Sequence, residues 1–345
     1  MELFYVGRYS EKGSAGLSLC SLASDGQVKI IEDYEIENQS YICFSDDKKR
    51  LYSAIEKDEY KEKPGGGVAA YNIDTDGRLV FLNDDSTKGA APCHLSVDHK
   101  NILYTANYTS GSLSIFSLNE NGIGNLEKVI PTGDFGLPSK VFPGRQEKPH
   151  AHFIAPYKKT VWVCDLGLDL VIIFDENMQK LCHISTAPGS GPRHLAFHPT
   201  MPFVYVVCEL SNEIYSFVCE TSESGFDIRQ TAIVSTLQSE ESTCAAVKIS
   251  PCGRYLLASN RSVNGGSISV MRLDIQTGIP TLTQIVQTGG LCPRDFAFNN
   301  KGDMVLCANQ ESDSIAMFTW EKEQGVLSQA KTSIKIGKPV CIVFL

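Results

Sequence analysis

The stretch YTANYTSGSLSIF (residues 104–116) contains the phrase that decides the fold. It predicts a short apolar strand, a short polar connection and a second strand in which apolar and polar residues alternate. The phrase recurs at intervals of roughly 50 residues. Its first residues are Phe4, Tyr52, Tyr104, Trp162, Tyr205, Leu257 and Leu306. The repeated units fill the chain with no remainder.

Each unit predicts four antiparallel strands. A lead-in strand such as residues 94–97 precedes the phrase, and a fourth strand follows the third across a turn. That turn contains Gly26, Gly77, Gly122, Gly225, Gly278 or Gly325, and the unit near Asp175 lacks the glycine. Four strands at this period are typical of a propeller blade. The sequence therefore predicts an all-β fold, a seven-bladed β-propeller, with residues 1–345 as a single domain.

The two ends of the chain predict how the propeller closes. The chain begins on a phrase strand, residues 3–6, and stops after a lead-in strand, residues 341–345. We therefore expect the C-terminal strand to supply the innermost strand of the N-terminal blade. Such a pairing removes two exposed strand edges.

Composition limits the functional classes. The 345 residues are 42% hydrophobic and 21% charged, and the net charge of −9 argues against a nucleic-acid partner. The 12 Cys lie mostly in apolar runs without a C-x-x-C pair, which predicts reduced, buried thiols. Neither a signal peptide nor an apolar run of membrane-spanning length is evident, so we expect a cytoplasmic protein without a membrane partner. A closed propeller needs no partner for stability, which predicts a monomer.

Polar residues cluster at two positions of the repeat. In a blade, the loop leading into the first strand and the loop leaving the second strand emerge on one face. The first set comprises Tyr41, His94, His150, His152, Arg193, His194, Arg294, Asp295 and Lys338. The second comprises Arg8, Glu56, Asn107, Tyr108, Asp165, Glu209, Arg261 and Gln310. Four of the seven His are thus expected at one structural position, and the long Pro- and Gly-rich loop 131–149 leads directly into His150.

The residue types in these sets suit acid–base chemistry on an anion. Arg recognises carboxylate or phosphate in bidentate fashion, while His and Glu exchange protons near neutral pH. A nucleophile elbow, an H-E-x-x-H motif and a G-x-G-x-x-G motif are all missing from the sequence, and Gly65–Gly67 are expected in a loop. His150 and His152 alternate on a strand and would share a face, so a metal site is an alternative. No metal or organic cofactor is expected.

The same residues resemble a known family. The phrases PCHLSVDHKNILYTANYTSGSLSIF (92–116), RQEKPHAHF (145–153), DLGLD (165–169), GPRHLAFHP (191–199) and SNRSVNGGSISV (259–270) are similar to the seven-bladed lactonases. That family contains propeller-type 6-phosphogluconolactonases and carboxy-cis,cis-muconate cyclases. The resemblance implies an anionic lactone substrate and covers essentially the whole chain. It also implies catalytic roles for His150 or His152, Arg193, Glu209 and Arg261.

The resemblance and the repeat together give a mechanistic hypothesis. His150 or His152 would activate water, Glu209 would orient that His or handle the leaving-group proton, and Arg193 and Arg261 would hold the substrate. The expected reaction is hydrolysis of 6-phosphogluconolactone, the second step of the oxidative pentose phosphate pathway. Substrate contacts are expected from Arg8, His94, Asn107, Tyr108, Asp165, His194, Arg294 and Gln310. Arg8 departs from the family, which usually has Thr there. The alternatives are a lactonase or lactonizing cyclase for another acid and a non-catalytic binding scaffold.

Overall fold

The computed structural model describes residues 1–222, 225–237, 242–262 and 264–345. These residues form thirty β-strands and two short 3₁₀ helices. They divide into two compact units, each described separately below. The first unit contains Met1–Gly191 with Val340–Val343 and Leu345, and the second contains Pro192–Pro339 with Phe344. The assignment of residues 1–345 to one domain stays a prediction.

Four four-stranded sheets, numbered blades 1 to 4, form the first unit. Blade 1 consists of β1 (Glu2–Arg8), β2 (Leu17–Leu22), β3 (Val28–Tyr34) and β30 (Pro339–Phe344). Blade 2 consists of β4 (Gln39–Phe44), β5 (Arg50–Ile55), β8 (Gly67–Ile73) and β9 (Leu79–Ser86), with a small hairpin of β6 (Glu59–Tyr60) and β7 (Lys63–Pro64) inserted. Blade 3 consists of β10 (Pro92–Val97), β11 (Ile102–Asn107), β12 (Ser112–Asn119) and β13 (Gly122–Pro131). Blade 4 consists of β14 (Ala151–Tyr157), β15 (Thr160–Asp165), β16 (Leu170–Asp175) and β17 (Lys180–Ser185), and a 3₁₀ helix (Thr132–Phe135) begins the loop before it.

Three further four-stranded sheets, blades 5 to 7, form the second unit. Blade 5 consists of β18 (Pro192–Phe197), β19 (Phe203–Cys208), β20 (Glu213–Ser222) and β21 (Gly225–Ser235). Blade 6 consists of β22 (Cys244–Ile249), β23 (Tyr255–Ser262), β24 (Gly265–Leu273) and β25 (Pro280–Gln287). Blade 7 consists of β26 (Pro293–Phe298), β27 (Met304–Asn309), β28 (Ser314–Glu321) and β29 (Val326–Lys335), with a 3₁₀ helix (Gln310–Ser312) between β27 and β28.

These sheets are the units predicted from the sequence repeat, and the ends of the chain pair as expected. In blade 1, β30 lies beside β1. The turn without glycine is also explained, because Met178 adopts the left-handed conformation there, with a φ of 61°. Its N–H donates to the Asp175 carbonyl oxygen, as the Gly77 N–H donates to that of Asp74.

Second strands are buried along nearly their whole length because both of their faces are covered. Every residue of β15 and β19 is buried. In the first unit, Tyr104 and Ile115 of blade 3 pack with Val163 and Phe174 of blade 4. Fourth strands such as β17 instead alternate in exposure and cover one face only. Eight of the twelve Cys are buried and all twelve are free thiols, as predicted, although Cys252 is exposed.

Candidate active site

A β-bulge at the start of the first strand sorts the candidate residues into distinct positions. In blade 4, Ala151 pairs with Asp165 and Phe153 with Cys164, so His152 is the extra residue. The same register shift leaves Arg193 between Pro192 and His194 and Arg294 between Pro293 and Asp295. Bulges re-aim side chains and recur beside active sites. His152, Arg193 and Arg294 are therefore equivalent positions in their own blades.

The bulge corrects the expectation that four His share one structural position. His94 and His194 are equivalent to each other, one residue beyond the bulge. His152 lies at the bulge, and His150 precedes the strand. Strict alternation of side chains fails where an extra residue enters the ladder. His150 and His152 thus do not occupy two successive positions on one regular strand face.

Arg193, Glu209 and Arg261 form a buried ion-pair cluster in the second unit, which we call the Arg–Glu–Arg cluster. Glu209 Oε2 lies 2.9 Å from Arg193 Nε and 2.9 Å from Arg261 Nη2. The side chains of Arg193 and Glu209 are each 2% exposed, and that of Arg261 is 14% exposed. One carboxylate serves two guanidinium groups, so the cluster carries an excess of positive charge.

The bulge of blade 6 anchors both guanidinium groups. Arg193 Nη1 donates to the carbonyl oxygen of Ala245 at 2.8 Å, and Arg261 Nη2 donates to that of Cys244 at 2.8 Å. The register of β22 shifts between Cys244 and Val247. Because a bulge takes residues out of the regular ladder, their carbonyl oxygens are available as acceptors. The two Arg side chains are thereby held in place from two sides.

Arg261 has a donor that the chain does not use. Its Nε–H is buried and has no partner among the described residues. A buried donor without an acceptor costs about 1–3 kcal/mol, and an acceptor from a ligand would remove that cost. Together with the excess positive charge, this donor fits the cluster for a carboxylate, a phosphate or a developing oxyanion.

The thiol beside this cluster is not suited to act as a nucleophile. Burial raises the pKa of Cys244 to about 12. The thiolate is the reactive form of cysteine, and at neutral pH such a group stays protonated. The arrangement therefore favours chemistry by anion binding and proton transfer.

Tyr108 organises a second group in the first unit, which we call the Tyr108 cluster (Tyr108, Arg145, Glu147, His150 and His152). The His150 ring stacks on the Tyr108 ring at a centroid distance of 4.3 Å, and the His152 ring meets it edge-on at 5.6 Å. Arg145 Nε donates to Tyr108 Oη at 3.4 Å. His150 Nδ1 lies 3.0 Å from the Tyr108 carbonyl oxygen, and its Nε2 lies 3.2 Å from Glu147 Oε1. The cluster combines two imidazoles, a cation and a carboxylate around one aromatic ring.

Asp165 fixes the backbone of this cluster. Its Oδ1 accepts hydrogen bonds from the N–H groups of His150 at 2.9 Å and Leu168 at 3.0 Å, and its Oδ2 lies 2.6 Å from Thr132 Oγ1. Burial raises the pKa of this carboxyl group, against the opposing effect of the hydrogen bonds. Its position in the ladder is that of Asn107, at the end of a second strand. Asp165 therefore fixes the backbone at His150 and Leu168 rather than presenting its oxygens to a ligand.

The loop 131–149 is tethered immediately before Glu147. Gln146 is fully buried, and its Nε2 donates to Asp169 Oδ1 and to the Leu166 carbonyl oxygen, each at 2.9 Å. Gly167 lies against this loop so closely that a Cβ atom there would stand 1.9 Å from the Lys148 carbonyl oxygen. The loop thus reaches His150 in a defined conformation.

Four other predicted substrate contacts have partners within their own blades or between neighbouring blades. Arg8, at a position where the family usually has Thr, pairs with Asp33 at 3.3 Å. His94 is buried between the rings of Tyr41 and Phe153, both at 4.2 Å. Asn107 Nδ2 donates to Ser114 Oγ at 2.8 Å. Gln310 begins the 3₁₀ helix after β27, and its Nε2 donates to Glu311 Oε1.

The last two predicted contacts lie on first strands of the second unit. His194 is buried on β18, beside the bulge residue Arg193. Arg294 is half-buried at the bulge of β26. The structure thus brings together Arg193, Glu209 and Arg261 as one group, and Tyr108, His150 and His152 as another. Among the described residues, no group of three or more His, Cys, Asp or Glu is arranged to hold a metal ion.

Sequence reasoning missed Arg145 and Glu147. Both belong to the loop that was singled out as functional, and both lie within the phrase RQEKPHAHF. Their spacing from His150 carries no meaning in an irregular loop until the chain path is known. The short distance from Glu147 to His150 arises because Gln146 and Pro149 fix that path.

Comparison with known proteins gives a consistent picture. The family model described as "Lactonase, 7-bladed beta-propeller" matches residues 3–344. The 6-phosphogluconolactonase of Bacillus subtilis is 33% identical, over 99% of this chain and 97% of that protein. The 6-phosphogluconolactonase of Formosa agariphila is 30% identical, over 96% of each chain. The solved periplasmic gluconolactonase of Pseudomonas aeruginosa has a TM-score of 0.90 and 27% identity, covering 100% of this chain and 99% of that one. The predicted fold class, a seven-bladed β-propeller, is confirmed.

Proposed function

Because the chain belongs to the family of seven-bladed β-propeller lactonases, we propose that it hydrolyses 6-phospho-D-glucono-1,5-lactone to 6-phosphogluconate. The observation that carries this proposal is the Arg–Glu–Arg cluster. It offers an excess of buried positive charge and an unused guanidinium donor. The substrate has a phosphate group, and its carbonyl oxygen becomes an oxyanion when water adds. Two full-length relatives that bear the name of this activity support the choice of lactone.

Each member of the cluster has a proposed role. Arg261, whose buried Nε–H has no partner among the described residues, binds an anionic oxygen of the substrate or of the tetrahedral intermediate. Arg193 supplies the second positive charge of the cluster. Glu209 holds both guanidinium groups through Oε2, so we assign it to positioning them rather than to orienting a histidine.

We propose His152 as the general base. Both ring nitrogens of His150 lie within hydrogen-bond distance of acceptor oxygens, so His150 has no lone pair directed at water. In the reaction, His152 removes a proton as water adds to the lactone carbonyl carbon. The ring C–O bond then breaks, and the departing oxygen takes the proton from His152 to become a hydroxyl group, which returns His152 to its basic form. Such acid–base assistance typically contributes about 10²–10⁴-fold.

An Arg261→Met variant tests this proposal. It keeps the length of the side chain but removes every donor, while Glu209 retains its contact with Arg193. We expect kcat/KM to fall by roughly 10²–10³-fold, the usual cost of an oxyanion donor. The lactone is generated in place by glucose-6-phosphate dehydrogenase, and the product is measured with 6-phosphogluconate dehydrogenase.

The matched control is Arg254→Met, which removes a half-exposed Arg that pairs with Glu323 at 2.9 Å in the same unit. We expect this variant to keep wild-type activity. A wild-type protein that does not exceed the spontaneous rate would overturn the substrate. A fully active Arg261→Met variant would overturn the site.

Glucono-1,5-lactone is the second candidate substrate, because the solved relative from Pseudomonas aeruginosa is named a gluconolactonase. The two lactones differ in the phosphate group. Parallel assays decide between them: a kcat/KM that favours the unphosphorylated lactone assigns that substrate instead.

The proposal also includes the cellular location and the oligomeric state of the protein. None of the helices in the described residues is long and apolar enough to cross a membrane. We propose a cytoplasmic location, supported by twelve free thiols, since cytosolic Cys are normally kept reduced. We further propose a monomer, for which light scattering gives the mass directly.

A further inference from the structure

His150 is held by two acceptor oxygens, one at each ring nitrogen. The Tyr108 carbonyl oxygen lies 3.0 Å from Nδ1, and a carbonyl oxygen only accepts, so Nδ1 carries a proton. Glu147 Oε1 lies 3.2 Å from Nε2. A neutral ring protonated at Nδ1 would direct its Nε2 lone pair at that oxygen. Only a proton between the two atoms makes the contact attractive.

Of the two groups, the Glu147 carboxyl group loses its proton more readily. Glu147 is half-exposed, and a hydrogen bond from its own backbone N–H lowers the pKa of its carboxyl group, with His150 contributing further. The carboxylate is therefore the form present at neutral pH. His150 itself is 3% exposed and stacks against Tyr108, so its ring has little freedom to turn away.

The other charged and titratable groups around His150 come from the neighbouring elements. On the loop, Arg145 reaches the Tyr108 hydroxyl and Lys148 follows Glu147. From β15, Asp165 accepts the His150 backbone N–H, not its ring. From β14, His152 meets the far edge of Tyr108. Of these groups, Glu147 is the one that contacts the imidazole nitrogens.

We propose that Glu147 is a positioning residue that holds His150 as a doubly protonated imidazolium. His150 then presents a fixed positive charge rather than a base. In the reaction, this charge attracts the anionic substrate, and proton abstraction falls to His152. This inference rests on the proposed lactonase function for its catalytic meaning, while the argument for the protonation state of His150 rests on the contacts of its two ring nitrogens.

A Glu147→Gln variant separates charge from position. The Gln side chain has the same shape, and its amide N–H can donate to a neutral Nε2, so the hydrogen bond survives while the ring loses its proton. The first readout is ¹⁵N NMR of protein labelled at histidine, with the His150 signals assigned by a His150→Gln variant. In the wild type at neutral pH we expect the two nitrogens to resonate close together, as in an imidazolium. In Glu147→Gln we expect two widely separated signals, as in a neutral ring.

The second readout is the pH profile of kcat/KM. For Glu147→Gln we expect a loss of about tenfold at neutral pH, the step from a charged to a neutral hydrogen-bond donor. The loss should disappear as the pH falls, because bulk protons restore the imidazolium. The matched control is Asp134→Asn, which removes one negative charge from an exposed position of the same loop. This control should follow the wild-type profile.

The two readouts distinguish the two proposals. A neutral His150 in the wild type overturns the proposed ion pair of Glu147 and His150, whatever the activity. An imidazolium in a protein that lacks lactonase activity supports this ion pair and overturns the proposed function. An imidazolium with an unchanged pH profile in Glu147→Gln overturns the role of the charge in the reaction.

Discussion

Thr132 has one hydroxyl proton and two oxygen neighbours. Its Oγ1 lies 2.8 Å from the Gly111 carbonyl oxygen and 2.6 Å from Asp165 Oδ2. If Asp165 is protonated, it donates to Thr132, and Thr132 donates to Gly111. This pattern agrees with the raised pKa that burial gives Asp165.

Ionising the buried Asp165 carboxyl group lowers the unfolding free energy by an amount that grows with pH. Replacing Asp165 with Asn should therefore remove this cost. A carboxyl group whose pKa is raised on folding stabilises the protein below its unfolded pKa, and that contribution is lost as pH rises through the folded pKa. From about pH 4 upward, wild-type stability should fall relative to Asp165→Asn by up to roughly 1.4 kcal/mol per pH unit. Urea unfolding at a series of pH values measures this difference.

Asp274→Asn provides the opposite control. Backbone hydrogen bonds from Thr277 and Gln276 lower the pKa of Asp274, so its contribution is present at neutral pH and is lost as pH falls. The unfolding free energy of the wild type should therefore rise relative to that of Asp274→Asn as the pH rises. A difference between wild type and Asp165→Asn that does not change with pH would contradict the raised pKa of Asp165.

At the scale of the element, the third strands contain a repeated polar network inside the sheet. Asn107 Nδ2 donates to Ser112 and Ser114, and Asn260 Nδ2 donates to Ser267 and Ser269 at matching distances. The alternating Ser residues that predicted a strand are therefore buried acceptors rather than a solvent face. Blade 7 lacks one of these acceptors.

In blade 7 the second serine is replaced by Ala316, and Asn309 Nδ2 is buried with no partner among the described residues. Ala316→Ser should restore the missing acceptor, while its hydroxyl donates to the Thr288 carbonyl oxygen as Ser269 does to that of Thr236. We expect a gain in unfolding free energy of about 1 kcal/mol, measured by urea denaturation. The gain should vanish in an Asn309→Ala background. An equal gain in both backgrounds would show that the network is not its cause.

The sequence predicts the blades but not the β-bulge in their first strands. Repetition predicts the blades and the shared positions of Glu209 and Arg261, because equal spacing places equivalent residues at equivalent strand ends. The bulge is invisible in the sequence, since one extra residue leaves the apolar pattern intact on both sides. For this reason His152 and Arg193 were not recognised as equivalent. Glu147 was missed because an irregular loop has no period from which to predict contacts.

At the scale of the whole molecule, the last strand completes the first blade. Val340, Cys341 and Ile342 of β30 are each no more than 2% exposed, and β30 covers the edge of β1. Burial of a large apolar side chain is worth about 1.5–3 kcal/mol, while net stability is about 5–15 kcal/mol. The final strand thus accounts for a large share of the margin that keeps the chain folded.

Deleting residues 339–345 should therefore leave a chain that aggregates or unfolds at much lower urea concentration than the wild type. Size-exclusion chromatography and circular dichroism measure both effects. A synthetic peptide of residues 338–345, added during refolding, should restore the native transition by adding a strand to β1, and a scrambled peptide should not. A truncated chain that unfolds like the wild type would show that β30 is dispensable.

The pairing of β30 with β1 also sets an order of events during synthesis. Synthesis runs from β1 towards β30, so blade 1 stays incomplete until β30 has been made. Later blades are able to form behind it as each leaves the exit tunnel, because domains and their parts fold as they emerge. Any chain released before β30 is made has an unpaired edge on β1, and such an edge is a template for pairing with strands of other chains.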